Sequence, residues 1–211
     1  MRLVLQEFLS LDGVSQGPGA PDEDTSDGFT RGGWLVPHLD EAFVRIVTGW
    51  IENADAFLFG RRTYVNFARD WPQMDDPADP VATRLNGLPK YVASRTLTTA
   101  EAHWTPTTIL SGDVPTQVAA LKQHPGRELH IHGSARLGAS LLAAGLVDEV
   151  RLVIAPVVVG TGRHLFPAGD STAPLGLRLL SSEMTPSGVA AQAYEVTGAA
   201  GFGTYGVDGL E

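Results

Sequence analysis

The hydrophobic pattern of the chain changes period several times, and each change marks an element. Arg2 to Ser10 alternates weakly between apolar and polar positions and ends at "SLDG", which predicts a first strand entering a turn at Asp12 and Gly13. The following segment, "VSQGPGAPDEDTSDGFTRGGW", has no periodicity and is rich in Gly, Pro and acidic residues. At that length it is either a functional loop over a site or a disordered insert. From Pro37, Leu39, Phe43, Ile46, Val47, Trp50 and Ile51 recur at helical spacing, so "PHLDEAFVRIVTGWIENAD" reads as an amphipathic helix.

"AFLFG" is a short buried strand by its unbroken apolar run, and "RRTYVNFARDW" a helix opening at the arginines. Residues 71–89 carry Pro72, Pro77, Pro80 and Pro89 and read as a loop or partly helical crossing. "KYVAS", Thr107 to Leu110, "ELHIH" and the long run "VDEVRLVIAPVVVG" read as strands. Helices are expected over Val114 to Gln123 and "SARLGASLLAAG". Leu175 to Glu183 and Gly188 to Thr197 form a hairpin around "MTPSG". Strands alternating with helices and closing on a hairpin indicate an α/β fold, with a mostly parallel central sheet flanked by helices and an antiparallel C-terminal edge. The expected organisation is one domain over 1–197, followed by a Gly-rich tail, 198–211, that is disordered or a loose arm.

Charge narrows the possibilities. The chain has 15 Lys and Arg against 24 Asp and Glu, a net charge of −9, which argues against a nucleic-acid surface. With no cysteine it has neither disulfides nor thiol chemistry nor Cys-ligated metal. "MRLVLQEFLS" is not a signal peptide, and no apolar run approaches the roughly 20 residues of a membrane span, so a soluble cytoplasmic protein is the expectation.

Against that acidic background "GRRTY", residues 60–64, stands out. Gly60 allows a close turn out of the strand, and the first amides of the next helix carry partial positive charge. Arg61, Arg62 and Thr63 add two guanidiniums and a hydroxyl, a combination suited to phosphate. Cations at a helix N-terminus oppose the macrodipole, so the placement is costly without an anion. The plainer reading is that they merely solvate the helix start.

Ser94 and Arg95 follow "KYVAS" at another strand end. In such sheets ligands gather outside the carboxyl ends of strands. Two basic strand ends suggest two phosphates of one ligand, such as the 2′-phosphate and pyrophosphate of NADPH, with Arg62 meeting either the 2′-phosphate or the pyrophosphate, or else lying on the surface. "HGSARLG" opens a third strand–turn–helix unit with the Ser134 hydroxyl, free amides and Arg136, although it has neither Rossmann nor P-loop spacing. His130 and His132 share one face of a strand but offer no third metal ligand, and no G-x-S-x-G elbow occurs.

Taken in order, "SLDG", "FGRRTY", "HIHGSARLGASLL" and "VDEVRLVIAPVVVGTGRHLF" resemble the dihydrofolate-reductase-like superfamily, and most closely its riboflavin-biosynthesis reductase branch. The resemblance runs from about residue 2 to residue 196. It implies that Gly60, Arg61, Arg62 and Thr63 hold cofactor phosphates, and that Ser94 and Arg95 read the adenosine end. Gly133, Ser134, Ala135, Arg136 and Leu137 would carry the pyrophosphate and nicotinamide side. Asp12, with Gly13 beside it, would lie at the nicotinamide pocket and orient substrate or relay a proton, unless it only makes an Asp-Gly turn. Trp34 is a candidate wall of the substrate pocket, or loop packing, and Asp40 a candidate substrate carboxylate at the start of the first long helix.

The chain lacks the zinc deaminase portion found in bifunctional members of that branch, so a stand-alone reductase domain is expected. Its acidic insert, residues 15–30, argues against a phosphorylated substrate. The leading expectation is an NADPH-dependent reductase passing hydride to a C=N or C=O bond of a small heterocycle or imine. The alternatives are the 5-amino-6-(5-phosphoribosylamino)uracil reductase step of riboflavin biosynthesis and a non-catalytic nicotinamide-nucleotide sensor. The resemblance also implies a homodimer through the late strands.

Overall fold

The computed structural model describes residues 1–166 and 173–205. Thirteen elements follow one another among them: β1 (Arg2–Ser10), α1 (Glu41–Ile51), β2 (Ala54–Gly60), α2 (Arg61–Asp70), α3 (Pro80–Gly87), β3 (Lys90–Ala93), β4 (Thr107–Leu110), α4 (Val114–Lys122), β5 (Glu128–His132), α5 (Ala135–Ala143), β6 (Glu149–Ala155), β7 (Leu175–Met184) and β8 (Ala190–Ala199). The strands form one sheet in the order β4-β3-β2-β5-β1-β6-β8-β7. The first six run parallel, and the β7–β8 hairpin is antiparallel at the β6 edge.

Alternation along the strands sorts the core onto two faces. Leu3, Leu5, Leu9, Leu129 and Ile131 pack with Val118 and Leu121 of α4 and Leu141 of α5. The opposite face carries Phe57, Phe59 and Val92 under α1, α2 and α3, through Ile51, Tyr64 and Leu85. Gly138 explains how α5 lies so close: a Cβ there would stand 2.7 Å from Leu5 Cδ1.

Several boundaries differ from the sequence reading. The helix expected from Pro37 begins at Glu41, because Val36–His38 forms a separate 3-10 turn and the Asp40 carboxylate caps the Phe43 N–H at 2.7 Å. The proline-bearing crossing contains α3, capped by Asp79 with Pro80 in the first turn, where its missing N–H costs nothing. The run from Val147 narrows to Glu149–Ala155, and residues 156–160 leave the sheet. Strand β8 continues past the expected domain end at 197, since Gly198 and Ala199 pair with Gly176 and Leu175. Of the tail, residues 200–205 carry no regular structure, and the rest lies outside the described residues.

The insert at 15–30 is ordered. Gln16 organises it from within, its Nε2 donating to Asp24 O at 3.2 Å and Ser26 O at 3.0 Å, while its Oε1 accepts from Arg163 N at 3.1 Å. Phe29 is buried with Val14, Leu35 and Phe43 in a third apolar cluster that anchors the segment.

Candidate functional site

All the parallel strands deliver their carboxyl ends to one rim, and there two corners meet. Gly60 N–H donates to Ser134 Oγ at 2.9 Å, tying the β2–α2 corner to the β5–α5 corner 74 residues later. Neither Gly60 nor Ser134 caps its own helix through a side chain, so the first amides of α2 and α5 remain free donors on the same rim. Gly133 and Ser134 both adopt left-handed backbone, at φ 60° and 67°. Thr63 Cγ2 lies 3.4 Å from where a Cβ on Gly133 would stand, so the two corners come within contact distance here. Gly60, Thr63, Gly133 and Ser134 are thus brought together.

The arginines divide between two directions. Arg61 lies toward the β3 exit. There the Glu101 carboxyl is held below its usual range, first by the Thr98 backbone N–H and last by the charge of Arg61. Next to this exit Ser94, Arg95, Leu110, Gly112, Val114 and Pro115 line a cavity of about 430 Å³. Ser94 Oγ accepts from Thr96 N and Leu97 N at 3.2 and 2.9 Å, which shapes the turn and leaves its own O–H as a donor.

Arg62 turns the other way, onto the insert, donating to Ser26 Oγ at 2.8 Å. Asn66 of α2 donates to Glu23 O at 2.6 Å, so residues 22–27 cross over this helix as a strap. Asp27 at its tip faces Arg163 at 3.1 Å, Arg136 at 3.7 Å and Arg62 at 3.9 Å. Arg163 also pairs with Asp24. Asp24 and Asp27, two of the insert's four acidic residues, are therefore already engaged by arginines.

On the other side of β5, next to β1, the sheet splits. Gly133 N–H makes the last bond to β1, at Gln6 O (3.0 Å), and β1 runs on without its β5 neighbour. Glu7 is the next residue, only 4% exposed, on the sheet face of Leu5 and Leu9. Its Oε2 has no partner, and burial, reinforced by the charge of Glu23, pushes its carboxyl well above the usual range despite Arg163 nearby. Glu7 went unnoticed in the sequence because a carboxylate in a weakly alternating strand reads as solvent-facing. Arg163 was equally invisible as a site residue, since nothing local links it to Arg62.

The remaining candidates have other contacts. Asp12 accepts from Val159 N (3.0 Å), Gly160 N (2.7 Å) and Ser10 Oγ (2.6 Å), clamping the β1 turn to the loop after β6. Those bonds, the Ser10 hydroxyl foremost, lower its carboxyl to about 2, so at neutral pH it has no proton to relay. Gly13, at φ 83°, completes that turn. Trp34 is buried in the apolar cluster with Nε1 on Gln16 O at 2.9 Å, which makes it loop packing rather than an exposed pocket wall. Both Asp40 oxygens serve structure, one capping α1 and the other accepting from Ser187 N at 2.9 Å.

His130 Nε2 is bonded to Glu128 at 2.6 Å, and His132, whose Nδ1 lacks a partner, is driven by burial to about 3. Among the described residues no group of three His, Cys, Asp or Glu could hold a metal. An open depression of about 590 Å³ at the opposite end of the strands touches Arg84 and Arg127. Both are spent, on Ala54 O (3.0 Å) and Asp55 (2.8 Å), and it carries no chemistry we can name.

The sheet order and the helices around it define a dihydrofolate-reductase-like fold. The chain belongs to the RibD C-terminal domain family, whose model matches residues 2–191. It is 29% identical over 199 residues to the uncharacterized protein YyaP of Bacillus subtilis (strain 168), covering 93% of this chain and 96% of that one. A protein from Shewanella sp. PV-4 ascribed to riboflavin biosynthesis shares the fold at a TM-score of 0.64 and 20% identity, over 93% of this chain and 99% of the other. The diaminohydroxyphosphoribosylaminopyrimidine deaminase/5-amino-6-(5-phosphoribosylamino)uracil reductase of Thermotoga maritima aligns at 0.61 and 13% identity, over 92% of this chain and 56% of its own. Among the described residues no helix is long and apolar enough to cross a membrane.

Proposed function

We propose that this chain is an NADPH-dependent reductase acting on a C=N or C=O bond of a small heterocyclic substrate. The observation that carries this reading is the Gly60–Ser134 bond, which holds two uncapped helix N-termini beside the split between β1 and β5. The residues fit a dinucleotide phosphate: free amides and Thr63 for the pyrophosphate, Arg61 for the 2′-phosphate, and the cavity at Ser94 and Arg95 for the adenosine. When bound, the cofactor supplies the hydride.

The chain's own residues supply position and a proton. The α2 and α5 amides fix the phosphates and so aim the reactive end into the split. Burial pushes the Glu7 carboxyl well above its usual range, which favours its holding a proton, whereas the bonds to Asp12 favour its charged form. Membership of the RibD C-terminal family supports a reductase of the riboflavin type. Its specific reaction on 5-amino-6-(5-phosphoribosylamino)uracil is a second reading, favoured by the surplus of arginine at the strap.

We also propose a homodimer, since β7 is an outer strand with Leu179, Leu180 and Met184 exposed, and a second copy would cover it.

The test is NADPH oxidation followed at 340 nm with imine, pterin-like and ribosylaminopyrimidine acceptors. Acceptor-dependent oxidation supports the reductase. Tight NADPH binding with no oxidation by any acceptor class would contradict it and leave a sensor.

A further inference from the structure

Three arginines from three separate parts of the chain converge on one carboxylate at the strap. Arg62 comes from the first turn of α2, Arg136 from the first turn of α5 and Arg163 from the loop after β6. Asp27 is 64% exposed and touches two of them at more than 3.5 Å, a loose match for three guanidinium forks. Counting Asp24, the site holds three positive charges against two negative ones, in a chain of net charge −9. Asp27 also sits at φ 59°, a left-handed conformation unusual for a residue with a side chain. Exposed pairs of this kind hold weakly, whereas a phosphate group brings more charge and more acceptor oxygens to the same three forks.

We propose that Arg62, Arg136 and Arg163 form a phosphate-group site which the Asp27 carboxylate fills in the ligand-free chain, so that phosphate binding displaces the strap at residues 22–27. The proposal rests on the reductase reading for which phosphate arrives, the cofactor's pyrophosphate or that of a phosphorylated substrate.

The experiment is calorimetric titration of the full chain with inorganic pyrophosphate, for wild type, Asp27→Asn and Arg136→Gln. Asparagine tolerates the left-handed conformation, so the first variant removes charge without disturbing the backbone. Asp27→Asn should bind pyrophosphate about fivefold tighter, the loss of one weak competing contact. Arg136→Gln, whose only ion-pair partner among the described residues is Asp27, should bind several-fold weaker with its thermal midpoint unchanged. Equal or weaker binding by Asp27→Asn, or no binding by wild type and variant alike, would overturn the proposal.

The same pair of proteins identifies the source. A gain with ADP-ribose assigns the site to the cofactor, and a gain with ribose 5-phosphate at saturating NADPH assigns it to the substrate. If Asp27-dependent pyrophosphate binding survives while NADPH does not bind, the reductase reading fails and this site stands.

Discussion

Ser134 Oγ accepts the Gly60 backbone N–H at 2.9 Å, and this one bond sets the distance between the two helix starts that face the rim. Because Ser134 is left-handed, two variants separate its roles. Ser134→Gly keeps the backbone and removes the hydroxyl, leaving a partly buried N–H unpaired at a cost of about 1–3 kcal/mol. Ser134→Ala adds the strain of a left-handed alanine. Thermal melts should therefore rank wild type above Ser134→Gly above Ser134→Ala, and both variants should bind NADPH less tightly.

Arg61 and Arg62 diverge although they are adjacent. The sequence leaves Arg62 either the 2′-phosphate or the pyrophosphate; in the structure its guanidinium reaches Ser26 on the strap, while the charge of Arg61 is felt at Glu101 beyond β3. Arg61→Ala should reduce the preference for NADPH over NADH by about tenfold, the worth of one charge-assisted contact. Arg62→Ala should weaken both cofactors to the same degree. Parallel titrations with the two nucleotides decide it, and a selective loss of NADPH in Arg62→Ala would place Arg62 on the 2′-phosphate instead.

Glu7 links stability to pH. Its folded-state carboxyl lies well above the ordinary 4.5, so between that value and the folded one the native state binds more protons than the unfolded state. Stability contributed by neutral Glu7 is complete below about 4.5 and declines as pH rises through the folded value. Glu7→Gln should flatten that decline in melts taken across the range, and should lower kcat more than it raises KM. An unchanged kcat would remove Glu7 from the proton path.

Much of the fold was legible because its cause is local. The apolar block of β2 and the helical spacing of Phe43, Ile46 and Val47 each record a surface that must be buried, while β1, buried on both faces, shows only a weak alternation. Gly60 to Thr63 could be picked out because arginines at a helix start are costly without an anion. The ordering of the strap could not, since it depends on Gln16, Arg62 and Arg163 meeting from distant parts of the chain. Asp12 and Asp40 stand out in the sequence as candidates for proton or substrate work, and in the structure their carboxylates make turn and cap bonds. Turn and cap chemistry selects the same residue types as proton transfer, and only their bonded partners tell the two apart.

The proposed dimer is tested on β7. Leu179→Lys places a charge on the exposed outer strand, where it touches little in the single chain. Light scattering should give twice the chain mass for wild type and a shift toward one for the variant. A monomeric wild type would contradict the dimer.

The central claim, that the Gly60–Ser134 rim holds a dinucleotide by its phosphates, is tested most directly by titrating the wild-type protein with NADPH and NADH and following tryptophan fluorescence at moderate salt. The account predicts saturable binding of both, with NADPH at least about tenfold tighter and weakening as salt is raised. Failure to bind either nucleotide would contradict it.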